Sequence, residues 1–452
     1  MSHKLPRLLV VVAVLVPAVA AAVTINVPLD QPTIQQGIDA AAGGDTVLVA
    51  PDTYTGPLNR DLNFGGTNLT VASEDGSGTT IIDCQTLGRG FYFSAGEDTT
   101  AVVRGFTITN AVADTGAGAC CRDGSSPRFE ECVFLTCTAR VYGGGLCCWA
   151  SSPVVRDCEF TTNSVDGVTR PVEYGGGVAC LSGAAPLFAN TSFTENYAYG
   201  GGGLYSYLSS PQLVGCEFLR NSVAEYGQGA GARMNQSTGS TLTRCLFTEN
   251  GGSNVVGGGM NVSSSTLVIA DCGFYGNFGG AAGGMRMGSV STSTITGCTF
   301  IGNIGTWGAA GGLECWSGAT PTITNCTFVG NDKYHVWCEE ASPTIEYCIL
   351  ALSEDGTAVN CDSGTETPAI HHCFVFGNAG GDTLCGGNYS DIEYVDPLFC
   401  DAENGDVALC ADSPCLPGAT WALGAGAEGE GCAECGSAVE RSTWGRIKAT
   451  FR

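Results

Sequence analysis

One unit recurs along residues 118–380, and no other feature limits the fold of this chain as strongly. It reads Gly-Gly-apolar-x-Cys, a short Ser/Pro turn, Pro-x-apolar-x-x-Cys-x-Phe-x-x-Asn, then a loop of variable length. Residues Gly311-Gly312-Leu313-Glu314-Cys315, Pro321-Thr322-Ile323-Thr324-Asn325-Cys326-Thr327-Phe328 and Asn331 show it whole. One column of the repeat runs Cys132, Cys158, Thr191, Cys216, Cys245, Cys272, Cys298, Cys326, Cys348, Cys373, at spacings of 22 to 33 residues. A period in that range means a solenoid.

The pattern inside the unit selects the kind of solenoid. Leu313/Cys315 and Cys326/Phe328 alternate with period two, as short strands with one buried face do. No segment of the repeat has helical spacing. Three brief strands between Gly, Pro, Ser and Asn turns make one coil, and each strand pairs with its equivalent about 4.8 Å along the axis. The crossover rule for parallel strands makes such a coil right-handed. The expected architecture is therefore an all-β, right-handed parallel β-helix of roughly 11–13 coils.

Stacking explains the columns. A second interior column runs Cys121, Cys148, Cys180, Ser206, Met234, Val262, Met287, Cys315, Cys338, Cys361. Asn163, Asn196, Asn221, Asn250, Asn277, Asn303, Asn331 and Asn378 mark one bend, where a side-chain amide can bond its own backbone and the next Asn in the stack. The Gly pairs before the first strand imply backbone angles that a Cβ would hinder.

These residues resemble the right-handed β-helix superfamily that includes pectate lyases. More narrowly, Gly143-Gly144-Gly145-Leu146 with Phe160-Thr161-Thr162-Asn163 resembles polymorphic outer membrane protein repeats. The resemblance spans roughly residues 23–430. It does not extend to a terminal membrane barrel, because 74 residues follow Asn378. Pro32-Thr33-Ile34-Gln35-Gln36-Gly37-Ile38-Asp39-Ala40 and Gly44 to Tyr54 are similar to the entry segment of many β-helix proteins. Ile34 and Ile38 fall on one side of a short helix, expected to cap the open first coil. Asp396-Pro397-Leu398-Phe399-Cys400 to Cys432 is similar to the closing segment of the same proteins, expected to cap the last coil.

The organisation follows. Residues 1–22 read as a signal peptide: Lys4 and Arg7, the apolar stretch Leu8 to Val19, then small residues for cleavage. Residues 23–117 form the N-terminal cap and entry coils, 118–380 the repeat coils, 381–436 the closing coil and Cys-rich cap, and 437–452 a basic amphipathic tail. No transmembrane segment is expected in the mature chain, which is assigned to the secreted or cell-surface, outer-membrane-associated class. The net charge is −25, and residues 23–440 hold 13 basic against 44 acidic side chains, a net −31. Such a body repels nucleic acid, which is excluded as a partner.

Twenty-five cysteines in an exported chain invite disulfides. The interior columns point in parallel into the core, where Cys serves as a small hydrophobe, and are expected to stay unpaired. The candidates are Cys385, Cys400, Cys410, Cys415, Cys432 and Cys435 in the closing segment, with Cys120 and Cys147 one coil apart in an outward column. No metal site is expected at Cys432-Ala433-Glu434-Cys435, which lacks a nearby His.

Outward positions of the Gly-Gly-apolar-x-Cys strand carry unusual side chains for a plain surface. Trp149, Tyr205, Tyr207, Arg233, Asn235, Arg286, Glu314, Trp316 and Trp337 are the candidate ligand-binding residues, with Tyr142, Tyr174, Tyr199, Tyr226 and Trp307 in the preceding loops. Flat apolar faces beside Arg and Glu suit sugar rings; the alternative is an aromatic ladder that stabilises the sheet. The residues available for catalysis are Glu314 and Glu339, as a carboxylate pair on neighbouring coils, and Arg233 and Arg286, as lyase bases. As outward carboxylates, both Glu are expected to be solvated. Ca²⁺ is the one cofactor that acid clusters such as Glu339-Glu340 or Asp396 could hold, though neither matches a defined loop motif.

The leading reading is a secreted or surface β-helix presenting a long face to glycans or a cell-surface partner. The alternatives are a polysaccharide lyase or glycoside hydrolase on the same face, and a structural rod. In the tail, Trp444, Ile447, Lys448 and Phe451 form an amphipathic stripe, read as an address for export or attachment machinery.

Overall fold

A computed structural model describes residues 21–166 and 173–432. The chain winds as an all-β parallel solenoid of about 16 turns. That is longer than the expected 11–13 coils, because the entry strands from Thr24–Val27 onward and the strand Asn388–Glu393 stack on the repeat. One face is an 11-stranded parallel sheet running from Phe91–Phe93 to Val359–Cys361. The next two faces are columns of three- and four-residue strands, such as Thr322–Thr324 and Thr327–Val329, which merge at Ala369–Phe376 into one 27-stranded sheet. Short strands such as Thr138–Tyr142 and Tyr197–Gly200 add a shoulder before the 11-stranded face. Residues 1–20 of the expected signal peptide 1–22, and the whole of the expected basic tail 437–452, lie outside the described residues. Among those residues no helix is long and apolar enough to cross a membrane.

Each coil is closed by single residues in the left-handed region. One corner falls just before the interior Cys/Thr column, at Asp157 (φ 52), Asn190 (φ 49), Arg244 (φ 53) and Asn325 (φ 50). A second precedes the Asn column, at Thr162 (φ 51) and Glu195 (φ 54), and a third follows the 11-stranded face, at Ala150 (φ 50) and Leu208 (φ 50). Non-Gly residues rarely adopt this conformation; here one such residue turns the chain between two three-residue strands while its side chain stays outside. The Gly pairs act in two ways. Gly257 needs its angle (φ +71), but at Gly311 room is the constraint, because a Cβ would lie 2.2 Å from the Asn303 carbonyl oxygen.

The core is a set of ladders. Phe134, Phe160, Phe193, Phe218, Phe247, Phe274, Phe300 and Phe328 stack with centroids 4.5–5.4 Å apart and planes within 9°. Each is fully buried, worth about 1.5–3 kcal/mol per side chain. Beside them runs the Asn ladder. The Asn277 Nδ2 donates to the Phe247 carbonyl (2.8 Å) and to Asn303 Oδ1 (3.0 Å), and its own Oδ1 accepts from the backbone and side-chain N–H of Asn250 (both 3.0 Å). The amide thus joins three coils rather than bonding its own backbone. Where the ladder lacks an Asn, at Ser353, His335 fills in: its Nδ1 meets Asn331 Nδ2 (3.2 Å) and its Nε2 meets Asn378 Oδ1 (3.0 Å).

The ends differ from expectation in one respect. The helix Ile34–Ala40 buries Ile34, Gly37 and Ile38, and Gly37 packs against Val47 and Val27. The closing segment, by contrast, folds back along the flank. Phe399, Val407, Leu409, Cys415 and Ala425 pack on the outward side of Ile301, Val329, Ile349, Ala351 and Phe374. The Ala427 N–H donates to Thr327 Oγ1 (2.9 Å) and the Gly426 N–H to the Tyr347 carbonyl (2.9 Å). Those coils carry apolar outward residues where earlier ones carry Thr161 and Thr194, so the flank is the larger apolar surface to cover.

Two disulfides secure this region, Cys361–Cys385 and Cys400–Cys432. Cys361 is a correction, since the interior column was expected to stay unpaired. Its coil is the last on the 11-stranded face, so its side chain meets the closing loop instead of a further coil. Cys410 Sγ lies 3.6 Å from Cys432 Sγ, Cys415 is a buried thiol pushed up to about 12 by desolvation, and Cys435 lies outside the described residues. Cys120 and Cys147, offered above as a pair, carry free thiols. They stand in register on adjacent strands, where parallel Cβ atoms are about 4.8 Å apart and a disulfide wants about 3.8 Å. The remaining interior-column cysteines are buried thiols, as expected.

Candidate functional site

The 11-stranded face displays two outward columns. One runs through Cys120, Cys147, Ala179, Tyr205, Arg233, Asn261, Arg286, Glu314 and Trp337. The other runs through Arg122, Trp149, Leu181, Tyr207, Asn235, Ser263 and Gly288, and Trp316 faces Glu339 further along it. Every sequence-predicted ligand residue therefore lies on one face. They form two groups, separated by the Asn261/Ser263 rung.

The upstream group is a tyrosine cluster. Tyr142 and Tyr174 reach over the face from the shoulder, pairing as an isolated bridge and stacking at 6.3 Å. Tyr174 stacks on Tyr205 at 4.4 Å, and Tyr205 on Tyr207 at 6.5 Å. The Arg233 guanidinium lies 5.0 Å from the Tyr174 ring and 5.7 Å from that of Tyr205. Tyr205 is buried, and desolvation pushes its hydroxyl up to about 12. The same rings bury Cys120 and Cys147 on an outward column. Part of this cluster is thus the sheet-stabilising ladder of the alternative reading, while Trp149 keeps an exposed edge beside Arg122.

The downstream group is built around Arg286. Its Nε donates to Glu314 Oε1 at 2.7 Å, and its guanidinium stacks 4.3 Å from the Trp316 ring. Trp316 can lie there because Gly288 has no side chain: a Cβ would be 2.0 Å from the indole Nε1. Glu314 is not solvated, as an outward Glu was expected to be; it is 1% exposed. Arg286 on the preceding rung, Trp337 on the next, and Trp316 two residues along its strand enclose it. Desolvation pushes its carboxyl up to about 7, against the pull of Arg286 and with a smaller push from Glu339. Glu339 lies one rung and two residues away, a diagonal separation of about 7–8 Å. Asn261 Oδ1, Glu314 Oε2, Trp337 Nε1 and Arg233 Nε are buried without a protein hydrogen-bond partner.

The burial of Glu314 is what sequence reading missed as a functional feature. The available signal was the column itself, since stacking puts Arg286, Glu314 and Trp337 on successive rungs. The loop residues Tyr226 and Trp307 pair with each other at 6.3 Å, and Trp307 Nε1 donates to Asn254 Oδ1 (3.1 Å). His371 and His372 sit at a corner, with His372 stacked on Tyr347 at 4.8 Å.

A family model described as a right handed beta helix region matches residues 89–267 and 257–394, more than half of the chain. No curated protein matches the chain. Among solved structures it is similar to the PL6 family alginate lyase AlyGC, at 12% identity over 83% of this chain and 54% of that one, with a TM-score of 0.47. A PL6 family polysaccharide lyase from Pseudopedobacter saltans matches at 11% identity over 83% and 93%, with a TM-score of 0.47. The periplasmic alginate epimerase AlgG matches at 8% identity over 78% and 82%, with a TM-score of 0.46. At these identities the likeness concerns the fold alone.

Proposed function

The chain belongs to the right-handed β-helix family, and we propose that its 11-stranded face binds polysaccharide outside the cytoplasm. One observation carries this reading. Arg286 is clamped between a Trp316 ring at 4.3 Å and Glu314 at 2.7 Å, on the same sheet face that gathers Trp149, Tyr207 and Trp337. Rigid aromatic planes with fixed polar groups between them suit rings that carry both C–H faces and hydroxyls. The two disulfides fit an oxidising compartment, in keeping with a secreted or surface protein.

A second reading draws on Glu314 alone. A buried carboxyl held near 7, diagonal to Glu339, has the makings of a general acid with its partner base, so glycoside hydrolysis on the same face is the alternative. The test is a polysaccharide panel, with and without Ca²⁺, scored for retention and for products. Retention without products, lost in Trp316→Ala, is expected. Products that vanish in Glu314→Gln would replace binding by catalysis, and neither retention nor products would leave the structural rod.

A further inference from the structure

We propose that Glu314 and Trp337 form a subsite for a neutral sugar hydroxyl, which steers the face toward neutral rather than uronate-bearing glycans. This rests on the glycan-binding reading above. The two residues are register partners on adjacent strands. Glu314 Oε2 and Trp337 Nε1 are both buried and both lack a hydrogen-bond partner in the protein. An unpaired buried group costs about 1–3 kcal/mol. Two such atoms on neighbouring rungs, an acceptor and a donor, ask for a group that accepts from the indole N–H and donates to the carboxylate. A hydroxyl does both. A uronate carboxylate only accepts, so above about pH 7, where Glu314 is ionised, it would meet the Glu314 oxygen as a like charge.

Arg286 does not change that balance. Its Nε is committed to Glu314 Oε1 at 2.7 Å and its flat side to Trp316, so the cation is neutralised within the protein. Glu339 nearby adds negative charge, on a body already at −31 over residues 23–440. Asn261 Oδ1, a further unpartnered acceptor, stands two rungs before Glu314 in the same column, about 10 Å along the axis. Acceptors at both ends of that span can address hydroxyls on successive units of one chain. Trp316 covers Arg286 from its seat on Gly288.

The experiment is calorimetric titration at pH 8.5 of the full mature chain with neutral gluco-, manno- and galacto-oligosaccharides and with oligouronates of matched length. Wild type is expected to bind a neutral ligand at least about tenfold more tightly than any uronate. Trp337→Phe keeps a ring but removes the N–H, and is expected to weaken neutral binding about tenfold. Glu314→Gln leaves Arg286 without its counter-charge and is expected to shift preference toward uronates. Tighter binding of uronates by wild type overturns the proposal without any variant. Binding that is lost in Trp316→Ala but indifferent to Trp337→Phe overturns the subsite alone. Absence of binding to every glycan overturns the glycan reading and the subsite with it.

Discussion

Replacing Asn277 by Ala tests whether the solenoid is held by its amide ladder. The substitution removes an acceptor that serves the backbone N–H of Asn250 and one of its side-chain N–H groups. It also removes the donor to the Phe247 carbonyl and to Asn303 Oδ1. One buried backbone group, the Asn250 N–H, is left fully unpaired, while the Phe247 carbonyl, which stays in the strand ladder, and two side-chain amides each lose one bond. At about 1–3 kcal/mol for the unpaired group and about 0.5–1 kcal/mol for each bond lost, with a small void added, the loss should be about 3–5 kcal/mol. Each coil touches only its neighbours, so the damage should stay local. Urea unfolding followed by circular dichroism gives the magnitude, and native-state hydrogen exchange gives the place. Amides in the coils around Phe247, Phe274 and Phe300 should lose protection while those near Phe91–Phe93 keep it. A loss under about 1 kcal/mol, or protection falling evenly along the whole axis, would refute the reasoning. Asn277→Asp, which turns an acceptor oxygen toward the Phe247 carbonyl and Asn303 Oδ1, should destabilise at least as much as Ala.

Four more outcomes follow from particular residues. Glu314 is held up at about 7 against an ordinary 4.5, so between those values the fold holds the extra proton; stability should fall by about 3 kcal/mol as pH rises through that window, and Glu314→Gln should lack this slope. His335 is pushed down to about 4 by complete burial, from 6.5, so the unfolded chain holds the extra proton; stability should fall by about 3 kcal/mol as pH drops from 6.5 to 4, and His335→Asn, which keeps a polar amide but no titratable ring, should remove that sensitivity. Gly288→Ala should drive the indole off Arg286 and abolish glycan retention with an unchanged urea midpoint, because the new methyl clashes with a side chain and not with backbone; unchanged retention would speak against Trp316 as a ligand contact. Alkylation of the native protein should leave Cys216, Cys245, Cys272 and Cys298 unmodified, and unreduced denaturation should expose them while Cys361, Cys385, Cys400 and Cys432 stay blocked.

The periodic part of the molecule was legible in the sequence, because stacking turns a one-dimensional period into identical contacts. Phe328 and Asn331 can be placed in the core by their recurrence alone, and so can Cys326. Departures from the period were harder to read, since their environment is set by the neighbouring coil. Glu314 sits at a position where a single strand predicts solvent, and only the rungs carrying Arg286 and Trp337 enclose it. His335 acquires its role because Ser353 is too short to bridge Asn331 and Asn378, a gap visible as a missing member of the Asn column. The fold-back of the closing segment had its own signal in Ile301, Val329 and Ala351, outward residues that become apolar in the last coils. Cys120 and Cys147 show the limit of spacing arguments: in-register neighbours are close enough to touch, yet too parallel to bond.

The in-register Phe stack also bears on how such a molecule can change length. Every coil from Phe134 to Phe328 offers its neighbour the same aromatic plane, and through Asn163 to Asn331 the same amide edge. Excising one coil would join two surfaces that already match, and duplicating one would insert a module between identical partners. The span of the 11-stranded face is therefore adjustable in whole steps by recombination between repeats, with the core chemistry untouched. Reach along a polymer could be selected in this lineage by copy number before any contact residue is altered.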